Sequence, residues 1–292
     1  MKENRYWVLL FLTCFSITAQ IKGFVVDDKN QPIPYVNIWV ENENIGTTSE
    51  ENGSFSITVE DQNKVLVLSA LGFETKKVNV SEAEKVVLKR IIFQLDEVII
   101  SKSRRTVEVE IGNSKNINSS HLSGASPWIF AKRFNYSNDF SKTPFIKNII
   151  VFTKNEIKNA TFKLRIFGVD KEGGPGLDLL NEDIIVKVKK GKRENKIDLT
   201  NYNLLIPKNG IFIAFETMII ESNKFEFKYK ESNSKKIKAQ VSYAPNIVCN
   251  IVELENTFEY SGGKWVQRKK SVSENIYKNK VIEPAINLTL TN

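Results

Sequence analysis

The chain has 292 residues, 41% of them hydrophobic and 26% charged, and its 42 basic and 34 acidic side chains give a net charge of +8. This composition excludes long disorder and collagen-like repeats, and the length suggests about two domains. One histidine and two cysteines exclude histidine-rich metal sites and a disulfide scaffold.

The chain opens with Lys2 and Arg5, then an apolar run from Trp7 to Ile17, then small residues up to Ala19. The run is about a dozen residues long, where a membrane-spanning helix needs about twenty. A secretory signal is therefore expected over residues 1–20, with no transmembrane segment left in the mature chain. Cys14 sits inside the run, a poor place for lipid attachment. Its removal leaves Cys249 as the only thiol, so no internal disulfide is expected.

Residues 21–95 read as short strands at about ten-residue spacing. Ile21–Asp27 is followed by a turn at 28–32. Val36, Ile38 and Val40 alternate inward, with Asn37 and Trp39 outward. Asn52-Gly53 signals a hairpin, because both residues tolerate positive φ. Phe55, Ile57 and Val59 then share the core face, and Lys64–Ala70, Lys76–Val80 and Val86–Phe93 complete a β-sandwich.

These residues carry a resemblance. The series Gly23-x-Val25-x-Asp27, Pro32-Ile33-Pro34-x-Val36-Asn37-Ile38, Gly46-Thr47-Thr48, Gly53-x-Phe55-x-Ile57 and Ser69-x-Leu71-Gly72-Phe73-Glu74 resembles the carboxypeptidase regulatory-like domain. The resemblance implies a prealbumin-like or starch-binding-like sandwich, and it implies no peptidase activity. Leu95–Ser101 is similar to the segment that follows this domain in TonB-dependent receptors. Plug and barrel are not expected, because about 190 residues remain where a large barrel needs about ten per strand plus loops.

Residues 96–127 read as a linker, since 112–126 are rich in Ser, Asn and Gly. His121 lies there, as a solvated side chain. The second domain, 128–292, shows strands at 146–152, 161–167, 184–189, 211–216, 225–229, 241–243 and 286–290. Phe162, Leu164 and Ile166 face one way. A jelly-roll-like sandwich is expected, so the fold class is all-β throughout. Phe162–Leu180, with Asp198, Leu199, Tyr202, Pro207 and Gly210–Glu216, resembles the second domain of short exported bacterial proteins, a resemblance that supplies no activity. This half holds 28 basic and 18 acidic residues, against 8 and 11 in residues 21–90. Its runs at 187–193, 235–238 and 268–270 read as solvated hairpin surface.

Catalytic chemistry is sparse. There is no His-Glu-x-x-His, no phosphate loop and no second histidine for a triad. Glu216, Asp178 and Asp170 remain as carboxylates for a glycan-active hydrolase, which needs only two. A concave pocket lined by Trp128 or Trp265 would favour it. The glycine-rich loop Asp170–Asp178 lacks calcium-loop spacing and reads as a turn. The expectation is thus a non-catalytic exported envelope protein, in the periplasm or on the outer membrane of a Gram-negative bacterium. It needs no cofactor, metal or catalytic residue, and its partner is an envelope protein or glycan, not nucleic acid. N-terminal sequencing of the exported protein should find Gln20 or Ile21 first; an intact Met1 would refute the signal.

Overall fold

The computed structural model describes residues 19–91, 106–112, 117–121, 124–230, 236–273 and 277–292. The expected export signal, Cys14 included, lies outside them except for Ala19 and Gln20, where the first strand begins. The Leu95–Ser101 segment lies outside them too. Among the described residues there is no α-helix, and none is long and apolar enough to cross a membrane.

The first domain has seven strands: β1 (Ala19–Val26), β2 (Asn37–Val40), β3 (Gly46–Thr48), β4 (Ser54–Val59), β5 (Val65–Ser69), β6 (Lys76–Asn79) and β7 (Lys85–Val87). They form two sheets, β4-β1-β7 and β3-β2-β5-β6. The inward residues of each close one core, including Val25, Val36, Ile38, Val40, Phe55, Ile57, Leu66, Leu68, Val86 and Leu88. Phe55, 4% exposed, lies opposite Gly23 in the β1–β4 ladder. A Cβ at Gly23 would stand 2.7 Å from the Phe55 ring, so the missing side chain makes room for the aromatic. Gly53 turns the chain into β4 with φ +76°, and a Cβ there would meet the Val25 carbonyl at 2.6 Å.

The second domain runs through β8 (Glu108–Gly112), β9 (Ile117–His121), β10 (Ile129–Phe134), β11 (Phe145–Asn155), β12 (Ala160–Val169), β13 (Pro175–Asp178), β14 (Ile184–Val188) and β15 (Gly191–Asp198). It continues through β16 (Ile211–Glu216), β17 (Lys224–Lys230), β18 (Ile237–Tyr243), β19 (Asn246–Val252), β20 (Thr257–Ser261), β21 (Lys264–Gln267), β22 (Val281–Pro284) and β23 (Ile286–Thr291). The front sheet runs β13-β12-β16-β10-β20-β21, with β14 also on β12. The back sheet runs β22-β19-β11-β23-β8, with β15 on β11 and β9 on β19. Between the sheets Phe130, Phe162, Leu164, Ile213 and Phe215 meet Ile149, Ile247, Ile286 and Leu288. Inside this layer Lys132 pairs with Glu283 at 2.7 Å and donates to the Ile286 carbonyl.

The expected linker meets a different structure. Residues 108–112 and 117–121, within the expected polar connector, are strands of the back sheet, paired to β23 and β19. A strand added to a paired neighbour satisfies its backbone with few apolar residues of its own, which is why a polar stretch serves. The backbone of His121 pairs with Ile247 in that ladder. The outward face of β2 is also buried: Asn37 and Trp39 face the second domain instead of water. The two domains are thus joined face to face as well as through the chain.

Phe55→Ala should cost about 3–5 kcal/mol by opening a cavity, and Gly53→Val should also destabilise, through φ and the Val25 carbonyl. Thermal unfolding checks both. A shift no larger than that of a surface substitution would refute the facing of β4.

Candidate functional site at the domain junction

The front sheet is apolar on both faces. β16 reads Ile-Phe-Ile-Ala-Phe-Glu and every one of its residues is buried. Its inner side chains, Ile211, Ile213 and Phe215, fill the sandwich; Phe212 and Ala214 join Ile129, Ala131, Phe167, Phe258, Tyr260 and Trp265 on the outer face. Glu216 follows in the same phase. It lies opposite Lys163 in the β12–β16 ladder, where directly opposed residues share a face. Arg165 stands two residues further along β12.

The first domain covers this charged corner. Glu216 is 0% exposed and Lys163 1%. Lys163 Nζ donates to the Tyr35 carbonyl at 2.6 Å and lies 3.2 Å from Asp183 Oδ2 and 3.6 Å from Glu216 Oε1. Asn37 Nδ2 donates to Glu216 Oε1 at 2.9 Å. Arg165 donates from Nη1 to Glu216 Oε2 at 2.6 Å, and from Nε and Nη2 to the two oxygens of Asp178 at 2.9 and 2.5 Å. The guanidinium also lies over the Phe167 ring, 5.1 Å from its centroid. Tyr35 presents its carbonyl from the left-handed region, at φ 57°, a strained conformation for an aromatic residue.

Around this cluster the junction is strapped by backbone. The Ile219 N–H donates to Thr48 Oγ1 at 3.0 Å, the Thr48 N–H to the Ile219 carbonyl, and the Glu221 N–H to Glu50 Oε1 at 2.8 Å. Trp39 meets Tyr260 edge to face at 6.2 Å. Asn44 joins through its side chain to Ser261 and through its carbonyl to Ser126. The junction also leaves the Asn37 Oδ1, Trp39 Nε1 and Asp183 Oδ1 atoms buried without a hydrogen-bond partner in the chain.

Electrostatics separate the two carboxyls on Arg165. Burial alone would raise Glu216, but the Lys163 and Arg165 charges and the hydrogen bonds from Asn37 and Arg165 outweigh it and hold the group below the usual range. At Asp178 burial prevails over the Arg165 charge and hydrogen bond, and its carboxyl is raised. Burial works against the Arg165 cation as well, yet Glu216 and Asp178 together push its pKa up.

Of the sequence candidates, Glu216 and Asp178 are therefore brought together on one guanidinium. Asp170 is not among them: its Oδ1 accepts the Glu172 and Gly174 N–H groups and shapes its own turn. Trp128 is a core residue between Phe130 and Phe215. Trp265 packs on Phe167 and Tyr260 over the outer face. Sequence reasoning did not single out Lys163, Arg165, Asn37 or Asp183. The usable signal was charge in a strand whose other residues alternate apolar.

A cleft of about 1230 Å³ opens elsewhere along the junction. One wall is the outer face of β1 and β4, with Lys22, Phe24, Ser56 and Thr58; the other is Ile219–Glu221, Lys224 and Tyr243. Phe24 shows 52% of its surface. The charged corner of Glu216 lies outside its lining.

Residues 21–100 match the model of the CarboxypepD_reg-like domain. The chain is 27% identical over 93 residues to the TonB-dependent receptor SusC of Bacteroides thetaiotaomicron, covering 32% of this chain and 9% of that one. It is 29% identical over 101 residues to the TonB-dependent receptor P39 of Formosa agariphila, covering 32% and 10%. The chain thus spans no more than a tenth of the curated relatives it matches, and its carboxypeptidase regulatory-like match lies over residues 21–100, which include the first domain.

Glu216→Gln should leave two cations sharing too little negative charge and cost about 3–5 kcal/mol. Because the Glu216 carboxyl is depressed on folding, its contribution is present above the ordinary glutamate pKa of about 4.3 and fades as pH falls through the lower folded value. The raised Asp178 has the opposite sense, contributing in acid and losing that contribution as pH rises through its folded value. Urea unfolding should therefore show a gap between wild type and Glu216→Gln that holds from neutral pH down to about 5 and narrows below about 4. A gap independent of pH would refute the ionised assignment.

Proposed function

We propose that this chain is a non-catalytic interaction module of the bacterial cell envelope, exported to the periplasm or the outer membrane, that contacts a glycan or an envelope protein. The envelope setting is supported by the likeness of about a third of the chain to two TonB-dependent receptors. The non-catalytic reading rests on one observation. Of the carboxylates the sequence offered, Glu216 and Asp178 are both held by Arg165, and Glu216 is fully buried with a hydrogen bond from Asn37 of the first domain. A glycosidase pair needs a sugar ring and, in the inverting case, a water between its carboxyls. The open cleft beside Phe24 is instead the surface a partner reaches, at a domain junction where ligand sites concentrate.

A glycan-active hydrolase is the second reading, and the divergence of Glu216 and Asp178 favours it: opposed pKa shifts mark acid and base roles in carboxylate enzymes. Asp178 would be the acid and Glu216 the ionised partner. A glycan array and a pull-down from envelope extracts separate the two. Retention of a glycan or envelope protein, weakened about tenfold by Phe24→Ala, supports the module. Release of sugar from chromogenic glycosides that disappears in Asp178→Asn establishes the hydrolase.

A further inference from the structure

Among the described residues the two sheets of the first domain end in four edge strands, and three of these edges are closed. β7 is only three residues long. β6 carries Lys76 and Lys77, charges of the kind that keep an edge from pairing with another chain. β3 is strapped to the second domain through Thr48 and Ile219. The fourth edge is β4. It runs six residues, Ser-Phe-Ser-Ile-Thr-Val, without a charge, a proline or a break in its register with β1.

The register fixes which backbone groups of β4 are free. The Val25 N–H donates to the Gly53 carbonyl, and bonded pairs alternate from there. Phe55 and Ile57 therefore bond to Gly23 and Ile21, while the N–H and C=O of Ser54, Ser56 and Thr58 point away from β1. Ser54 shows this phase directly. Its carbonyl accepts the Glu50 N–H and its N–H donates to Asn52 Oδ1 at 3.0 Å, both in the turn that leads into the strand. Among the described residues no group does the same for Ser56 and Thr58, and both residues are exposed. Two donors and two acceptors thus stand along an open edge.

This edge opens into the junction cleft. Ser56 and Thr58 line it, with Phe24 on the same outer face and Ile220 and Tyr243 on the wall across. The ionisable groups of the lining cancel, Lys22, Lys85 and Lys224 against Glu50, Glu84 and Glu221. We propose that the edge takes up an extended, uncharged peptide segment of a partner protein as an added strand. The inference rests on reading the cleft as the partner's surface, and it names the occupant. A strand laid about 4.8 Å from β4 satisfies both donors and both acceptors at once. Its cleft-side residues pass Ser56 and Thr58, where threonine and β-branched side chains pair well. A sugar chain offers hydroxyls, but no donor and acceptor repeating with the two-residue period of a strand. A cleft of about 1230 Å³ with a wall across it admits a single segment rather than a second folded domain.

A capped heptapeptide of alternating threonine and valine, titrated into the full chain, is the probe. Amide exchange followed by NMR should find Phe55 and Ile57 protected in the free chain and Ser56 and Thr58 unprotected, and the peptide should slow Ser56 and Thr58. The same peptide methylated on its amide nitrogens should not bind. Thr58→Pro removes one donor that takes no part in the β1 ladder, so the domain should fold and bind the peptide about tenfold more weakly. Ser56→Lys places a charge beside the edge without altering the backbone and should weaken binding as well. The proposal is overturned if Ser56 and Thr58 exchange as freely with the peptide as without it, if the methylated peptide binds equally, or if both variants bind unchanged. A Thr58→Pro chain that unfolds would place that N–H in the ladder and overturn it too. So would a dimer in sedimentation that Thr58→Pro makes monomeric, which would give the edge to a second copy. Retention of a glycan or envelope protein that is lost in Phe24→Ala and intact in Thr58→Pro would remove the added strand and leave the cleft as the binding surface. Retention indifferent to both substitutions would remove the cleft itself.

Discussion

The pairing of Lys163 with Glu216 fixes how the two domains meet. Both side chains project from central strands of the front sheet, where no route to water remains once the first domain is in place. An isolated charge in such a position is prohibitive, so the cluster has to be completed by partners from both sides. The first domain supplies the Tyr35 carbonyl and the Asn37 amide; the second supplies Arg165, Asp178 and Asp183. Sliding or tilting the first domain by a few ångströms would strip hydrogen bonds from a buried ion pair. An apolar junction of the same area would tolerate such shifts far better.

A second buried pair follows the same logic one layer down. Lys132 points into the sandwich from β10 and meets Glu283 on β22, joining the front sheet to the edge of the back one. Its ammonium also lies 5.1 Å from the Phe134 ring centroid. The front sheet therefore carries a charge contact on each face, to the back sheet and to the first domain. Ion pairs of this kind contribute little net stability against well-packed apolar substitutes, while a misplaced one costs several kcal/mol. They act as registration marks for layers whose hydrophobic contacts are otherwise interchangeable.

The sequence made the facing of residues legible and left their surroundings hidden. Alternation correctly set Val36, Ile38 and Val40 against Asn37 and Trp39, and Phe162, Leu164 and Ile166 against Lys163 and Arg165. Facing away from one core does not mean facing solvent where a second layer covers the outer face, as at Asn37 and Trp39. The clue was in β16, an unbroken apolar run of the sort found in strands buried on both sides. A cover for the front sheet was implied, and Glu216 at the end of that run marked where the cover must be polar. The strands at 108–112 and 117–121 escaped for a different reason. Their pairing partners supply the ladder, and a segment such as Ile117-Asn118-Ser119-Ser120-His121 carries almost no hydrophobic pattern of its own.

The junction also relates the cleft to the two-stranded ribbon of β17 and β18. Lys224 and Tyr243, which face each other across the root of the ribbon, line the cleft whose opposite wall is the outer face of β1 and β4. Asn223 ties that root to β12, and Thr48 and Glu50 tie the neighbouring Ile219–Glu221 segment to the first domain. Cleft wall, strap and ribbon base are thus consecutive pieces of one chain segment, held from both domains by hydrogen bonds with buried or half-buried partners. The orientation of the ribbon relative to the cleft is consequently set, because no hinge intervenes between them. In this fold the polar residues that alternation assigns to the surface of β2 and β3 do the orienting. The apolar cores on either side supply the rigidity that makes the orientation persist.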